Sequence, residues 1–256
     1  MNIFKQFINS LFSPKEIAAF HSQGIGKTIL YVFFLALLSV IPSLAYSSTA
    51  LVNGLNAIQT SIENEIPDFS IENGELKSDH KKPIIINRED FTIVFDSTGT
   101  VNPQDLTNNS TNTVGLLKNH GYFIAGNQVQ SIPYSMIDTF TRDDFLNMLS
   151  MVNSSIGIII PIMCVISFIF TSGVKFIEVS VLAFIGLLLT KLLARDLRYR
   201  HLWRMAAYSF TLPTVFFIVM DALKTMVPNG GMIYWFVAVM ILLLSIKEIP
   251  QQKHDL

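Results

Sequence analysis

Three ionisable residues lie within or beside strongly apolar stretches, where charge in a membrane protein often serves a function. Lys191 lies near the end of one stretch, and Asp221 and Lys224 lie three residues apart near the end of another. That spacing places the last two on one helical face. They are candidate groups for a polar path through the membrane. Structural pairing is the competing interpretation, because long side chains near helix ends reach the polar interface.

A second candidate group is basic. The segment ARDLRYRHLWR contains four arginines: Arg195, Arg198, Arg200 and Arg204. If this segment faces the cytoplasm, its guanidinium groups could bind anionic lipid headgroups. The alternative is that the arginines only anchor the topology of the neighbouring helices.

Residue patterns for catalysis or metal binding are not found. The five histidines are scattered, and the one cysteine, Cys164, lies within an apolar stretch. No HExxH metal motif or GxSxG nucleophile motif occurs. We therefore expect no catalytic, metal-binding or cofactor-binding residues and no enzymatic activity. The net charge of −1 argues against a nucleic-acid partner.

Composition indicates an α-helical integral membrane protein. Of 256 residues, 50% are hydrophobic and only 14% are charged, and the mean hydropathy is +0.46. We expect about five transmembrane helices: the first over 27–47 and four more within 152–246, followed by a tail over 247–256. The four later apolar stretches cover about 152–174, 176–194, 205–223 and 232–246. The first two of these are so close at Lys175 that a tight helical hairpin is expected, with a re-entrant pair as the alternative.

An acidic insert over 48–150 separates the first span from the others. It contains 13 acidic and 6 basic residues. Helical periodicity continues from the first span to about Ile62, after which alternating patterns and Asn73–Gly74 predict a hairpin and further short strands. A polar loop is expected over 102–113. Thr141 and Asp144 form a capping-box pattern where helix resumes. We predict a small α+β domain built on a β-meander.

The N-terminal segment, residues 1–26, has amphipathic periodicity. Phe4, Ile8 and Phe12 recur at helical spacing, and Ser13 followed by Pro14 and Glu16 predicts a helix break and a new N-cap. We expect a cytoplasmic or interfacial segment. A secretory signal peptide and a disordered tail are the competing interpretations of this end of the chain.

The charge signals for orientation conflict. The early lysines and the acidic insert favour a cytoplasmic N-terminus, but five spans then place the arginine-rich segment outside, against the positive-inside rule. We favour a cytoplasmic N-terminus because the first helix usually dominates.

Two stretches resemble a bacterial membrane family. LFSPKEIA with GKTILY near the N-terminus, and LWRMAAYSFTLP over 202–213, are similar to the domain-of-unknown-function family 1189, whose members are often labelled maltodextrin utilization proteins. The order of parts matches along nearly the whole chain. The later spans also look remotely like Yip-type membrane bundles. The resemblance implies a bacterial plasma membrane and supplies no functional residues.

These patterns together predict a multi-pass plasma-membrane protein that acts as a non-enzymatic accessory or regulatory protein. Its expected partners are the lipid bilayer and a transport or cell-envelope protein, and its oligomeric state is left open. A small transporter or channel is the alternative, and a membrane-embedded enzyme is a weaker one.

Overall fold

The computed structural model describes residues 2–88, 91–107, 112–125 and 128–250. The described residues form two compact units, one from within 1–46 and 161–256 and the other from within 47–160. We call them the helical unit and the β unit. The α-helices are α1 (Ile3–Phe12), α2 (Pro14–Ala19), α3 (Ile25–Glu65), α4 (Arg142–Leu192), α5 (Tyr199–Ser209), α6 (Thr211–Ala222) and α7 (Gly230–Lys247).

Helix α4 is one continuous helix where two of the later spans were expected. A hairpin was predicted at Lys175, but α4 runs through this position without a break for 51 residues. No proline or Asn-Gly turn interrupts residues 170–178, and the charge of Lys175 is compensated within the helix by Glu178 at i+3. In the described part of the chain, four helical segments are long and apolar enough to cross a membrane: Ile25–Glu65, Arg142–Leu192, Tyr199–Ala222 and Gly230–Lys247. The five predicted spans are therefore not confirmed.

Local signals place the helix boundaries. Ser13 Oγ accepts from the Glu16 amide, so the predicted N-cap of α2 is confirmed. Thr141 and Asp144 exchange hydrogen bonds at the start of α4, as a capping box does. The boundary at Phe210, between α5 and α6, lies three residues before Pro213, which has no amide hydrogen to donate to the turn before it.

The helical unit has one apolar core. The large side chains fully buried in it come from α2, α3, α4, α5, α7 and the α5–α6 boundary, and include Ile17, Tyr31, Leu35, Leu182, Leu202, Tyr208, Phe210 and Leu242. Gly186 on α4 makes close packing possible, since a β-carbon there would lie 3.2 Å from Leu202 and Leu242 side-chain atoms.

The β unit contains eight strands among its described residues: β1 (Phe69–Glu72), β2 (Glu75–Ser78), β3 (Ile84–Asn87), β4 (Thr92–Asp96), β5 (Asn112–Leu117), β6 (His120–Ala125), β7 (Gln128–Pro133) and β8 (Phe140–Thr141). They form a sheet of order β2-β1-β8 and a second of order β3-β4-β5-β6-β7. The predicted hairpin is confirmed, with Asn73 and Gly74 both at positive φ between β1 and β2.

The second sheet is not the simple meander that we expected. Strands β4 and β5 pair in parallel, with Ile93 opposite Val114. A parallel pair needs a connection that crosses from one end of the strands to the other. This connection starts after Asp96 and overlaps the predicted polar loop over 102–113, in which residues 103–107 form a 3₁₀ turn that buries Leu106, whereas residues 112 and 113 already belong to β5. Residues 108–111 of that loop lie outside the described residues.

Candidate functional site

A buried ion pair with two hydroxyl partners lies within the helical unit. Lys175 on α4 is 7% exposed, and its Nζ lies 3.0 Å from Glu178 Oε2. The same ammonium group donates to the hydroxyl of Tyr234 on α7 and lies 3.5 Å from Thr214 Oγ1 on α6. We call these four residues the Lys175 network.

Further contacts connect the members of the Lys175 network to one another. The Tyr234 hydroxyl donates to Glu178 Oε2 over 3.1 Å and lies 3.2 Å from Thr214 Oγ1. The Lys175 ammonium also lies 4.8 Å from the Tyr234 ring centroid and 5.9 Å from that of Phe210, distances at which cation–π attraction acts. The Lys175 network therefore links helices α4, α6 and α7. Its connected hydroxyl and carboxylate groups could also transfer a proton.

Sequence reasoning missed this network. It treated Lys175 as part of a turn and did not pair it with Glu178, so the two residues were not proposed as a site. Tyr234 lies 59 residues along the chain from Lys175. The available signal was the i, i+3 spacing of opposite charges within an otherwise apolar stretch.

The three charged residues predicted from the sequence do not come together. Lys191 is exposed in the last turn of α4. Asp221 is exposed near the end of α6. Lys224 follows α6 at positive φ, and its ammonium lies 5.1 Å from the ring centroid of Tyr46. None of the ion pairs in the described part of the chain includes these three residues.

Two of the four arginines that we proposed as candidates donate hydrogen bonds to backbone carbonyl groups at one end of the helical unit. Arg204 donates from Nη1 to the His21 carbonyl over 2.8 Å, and Arg195 donates from Nη2 to the Lys247 carbonyl over 3.2 Å. Arg198 is the N-cap residue of α5, and both Arg198 and Arg200 are exposed. The arginine-rich segment therefore contacts both the N-terminal segment and the end of α7.

The N-terminal segment is held by a ring of amide and hydroxyl groups. Gln6 Nε2 donates to Gln23 Oε1 over 2.8 Å, Gln23 donates to the Tyr208 hydroxyl, and that hydroxyl donates to Gln6 Oε1 over 3.0 Å. Helix α1 thus buries Gln6 and Ser10 and exposes Phe4, Ile8 and Phe12 on its other face. The predicted helical periodicity of α1 is confirmed, but its polar side chains Gln6 and Ser10 face the interior of the helical unit.

The buried carboxylate of Asp96, at the end of β4, organises the following loop. Oδ1 accepts from the amides of Thr98 and Gly99, over 2.9 and 3.2 Å, and Oδ2 accepts from the Val101 amide over 2.7 Å. Burial raises the pKa of Asp96, but hydrogen bonds from Thr98, Val101 and Gly99 outweigh it and hold the pKa below its usual value. These bonds occupy the carboxylate, so its role is structural.

Strand β7 forms one edge of the five-stranded sheet in the described chain. Its residues are exposed from Gln128 through Ile132. Val129 and Ile132 are 49% and 57% exposed, and Phe123 on the neighbouring strand β6 is 52% exposed. An exposed edge strand with apolar side chains is a surface to which another extended chain can pair.

No group of three or more His, Cys, Asp or Glu side chains is placed to hold a metal ion among the described residues. His21 and His201 come together, with ring centroids 5.6 Å apart, although they are 180 positions apart in the sequence.

Comparison with known proteins identifies a family. A family model described as "Protein of unknown function (DUF1189)" matches residues 4–246. This match confirms the family resemblance found in the sequence. The maltodextrin association and the likeness to Yip-type bundles stay predictions. No curated protein and no solved structure matches the chain.

Proposed function

We propose that this chain, which belongs to the DUF1189 family of proteins of unknown function, is a multi-pass plasma-membrane protein that binds a transport or cell-envelope protein through its β unit. It acts as an accessory or regulatory protein rather than an enzyme. The observation that carries this proposal is the exposed edge strand β7, on which Val129 is exposed on one face of the sheet and Ile132 is exposed on the other face together with Phe123 of β6. The bound segment would be an extended peptide that adds to this edge.

A membrane topology with four spans, rather than five, supports this proposal. Helix α4 is about 76 Å long at 1.5 Å per residue, far longer than a hydrocarbon core of about 30 Å. One continuous helix of this kind crosses the bilayer once. With four crossings and a cytoplasmic N-terminus, the acidic insert is outside, and the arginine-rich segment and the C-terminal tail are inside.

This topology removes the conflict between the charge signals. Lys5, Lys15 and Lys27 then share a side with all four arginines, as the positive-inside rule requires. The hydrogen bonds from Arg204 to His21 and from Arg195 to Lys247 support it, because they place these segments at the same end of the helical unit.

Labelling with a membrane-impermeant maleimide tests the topology. In a Cys164→Ser background, single cysteines are introduced as Lys81→Cys and Arg200→Cys. Four spans with the N-terminus inside predict labelling at 81 in intact cells and at 200 only after lysis. Labelling at both positions in intact cells would indicate five spans, and labelling at 81 only after lysis would indicate the inverse orientation.

Site-specific photocrosslinking in living cells tests the binding function. A photoreactive amino acid at Val129 or Ile132 is expected to give one dominant adduct with a membrane or envelope protein, and the same amino acid at Lys82 is not. Phe123→Glu with Ile132→Glu should abolish an adduct formed from position 129. If position 129 gives no adduct, or gives the same adducts as position 82, the β7 edge is not a binding surface.

The Lys175 network favours a second function, a small proton or ion transporter. Its polar groups form a connected set within an apolar unit, which is the arrangement that a proton relay requires. Reconstituted protein should then carry a flux in liposomes that Tyr234→Phe and Thr214→Val reduce and Lys191→Met leaves intact. The absence of any flux, or a flux that is equal in all variants, removes this second function.

A further inference from the structure

Two histidines and two arginines gather at the end of the helical unit where α3 begins. The His21 and His201 rings lie edge to face, with centroids 5.6 Å apart. Arg204, three residues after His201, donates to the His21 carbonyl. Arg200 directly precedes His201 and is exposed. We call His21, Arg200, His201 and Arg204 the His–Arg cluster.

The His–Arg cluster contains buried nitrogen atoms that lack a hydrogen-bond partner within the described part of the chain. They are Arg204 Nε and His201 Nδ1. The Nε of an arginine always carries a hydrogen. Leaving such a donor buried and unsatisfied destabilises the fold. By contrast, His21 Nδ1 is satisfied, because it lies 2.7 Å from the Ala18 carbonyl oxygen. The buried Nε–H of Arg204 therefore lacks an acceptor among the described residues, and His201 Nδ1 can donate to the same acceptor in the tautomer that carries its hydrogen there.

Positive charge accumulates around the same place. Arg198, Arg200 and Arg204 all lie within three residues of His201 along the chain. The ion pairs found among the described residues lie elsewhere and use none of these arginines. Asp196 is the one acidic residue within the segment 195–204. The missing acceptor is therefore an anion, and phosphate oxygens match the planar fork of a guanidinium group.

The surroundings of the cluster favour a lipid as the source of this phosphate. Helix α1 packs beside α5 and turns Phe4, Ile8 and Phe12 outward, with 60%, 55% and 80% of these residues exposed. An exposed apolar helix face beside a basic cluster is the pattern of a protein surface at the boundary of headgroups and acyl chains. We propose that the His–Arg cluster binds the phosphate of an anionic phospholipid headgroup, whose acyl chains lie along the exposed face of α1.

Native mass spectrometry of the full-length protein in detergent tests this proposal, with dioctanoyl phosphatidylglycerol as the probe. Dioctanoyl phosphatidylcholine and inorganic phosphate are the comparison ligands. We expect wild-type protein to retain phosphatidylglycerol in preference to phosphatidylcholine. Arg204→Lys keeps the charge but removes the Nε–H donor, and Arg200→Gln removes an exposed charge with little effect on packing. Each should weaken binding about tenfold or more, the loss expected for one charge-assisted hydrogen bond.

A matched control is Lys81→Gln, which removes one positive charge from an exposed position of the β unit and should leave binding unchanged. Equal binding by wild type, Arg200→Gln and Arg204→Lys overturns the proposal, as does equal retention of the two lipids. If inorganic phosphate displaces phosphatidylglycerol at equal concentration, the site serves a free phosphate and the lipid assignment is wrong. The test is independent of partner capture by β7, because the two surfaces belong to different units.

Discussion

Lys175 and Tyr234 join α4 to α7 by a hydrogen bond from the ammonium group to the phenol, with the ammonium also lying 4.8 Å from the centroid of the same ring. Glu178, one turn after Lys175, accepts from both side chains. The three groups thus neutralise and satisfy one another within the core of an apolar unit. This arrangement explains how a lysine persists inside a helix that is otherwise apolar over this stretch.

Breaking this ion pair from one side should destabilise the helical unit strongly. Lys175→Met leaves the carboxylate of Glu178, whose side chain is 19% exposed, without its cation, which is expected to cost about 3 kcal/mol in free energy of unfolding, the lower end of the range for breaking a buried pair. Lys175→Met with Glu178→Gln should cost less than Lys175→Met alone, because no charge then remains buried. Thermal unfolding of the full chain in detergent measures both. Lys191→Met, at an exposed position of the same helix, is the control and should change the midpoint little.

Packing at Gly186 should tolerate no larger side chain. A β-carbon there would lie 3.2 Å from side-chain atoms of Leu202 and Leu242, so Gly186→Leu forces α4 away from α5 and α7. The expected cost is about 1–3 kcal/mol. Gly173→Leu is the matched control on α4, because nothing lies within 4 Å of a β-carbon at that position. Equal thermal stabilities of the two variants would contradict the close packing of the three helices.

Arg142 should stabilise the end of α3. Its guanidinium donates to the Ile62 carbonyl over 3.0 and 3.2 Å and also to the Glu63 carbonyl, which are acceptors that a helix end leaves unsatisfied. We expect Arg142→Met to cost about 2–4 kcal/mol, from the loss of hydrogen bonds to a charged group. Faster amide hydrogen exchange in the last turns of α3 would report this loss.

Arg88→Met provides the comparison for Arg142. Arg88 pairs with Glu65, but both side chains are largely exposed, at 44% and 38%. An exposed pair of this kind contributes about 1 kcal/mol or less. Exchange in α3 that is equally fast in the two variants would show that the Arg142 hydrogen bonds do not cap the helix.

Asp96 should make the loop after β4 sensitive to acid. Because its folded-state pKa lies below the ordinary value of 3.8, the ionised carboxylate stabilises the fold above that value. This stabilisation is lost as the pH falls through the lowered pKa. Asp96→Asn should therefore expose the amides of Thr98, Gly99 and Val101 to hydrogen exchange at pH 7, and the difference from wild type should shrink below about pH 4.

The control for Asp96 is Asp105→Asn, at an exposed position in the same connection between β4 and β5. It should leave exchange at residues 98–101 unchanged. Unaltered protection of these amides in Asp96→Asn at pH 7 would show that the carboxylate does not hold the loop.

Features that depend on neighbouring residues were predictable from the sequence. The N-cap at Ser13, the capping box of Thr141 with Asp144 and the Asn73–Gly74 hairpin all formed as expected. Each is specified by a few adjacent residues whose side chains bond to nearby backbone or adopt a positive φ. The apolar stretches likewise indicated helices long enough to cross a membrane.

Features that depend on distant residues were decided by the tertiary structure. The sequence around Lys175 suggested a turn, because its hydrogen-bond partner Tyr234 lies on another helix and is brought to it only by packing. Strand β4 gave no sign that β5 would pair with it in parallel, because strand propensity is the same for either direction. His21 meets His201, and Gln6 meets Tyr208, through packing of the N-terminal segment on α5. Sequence periodicity reports which face of an element is apolar, but only packing determines which polar groups are buried together.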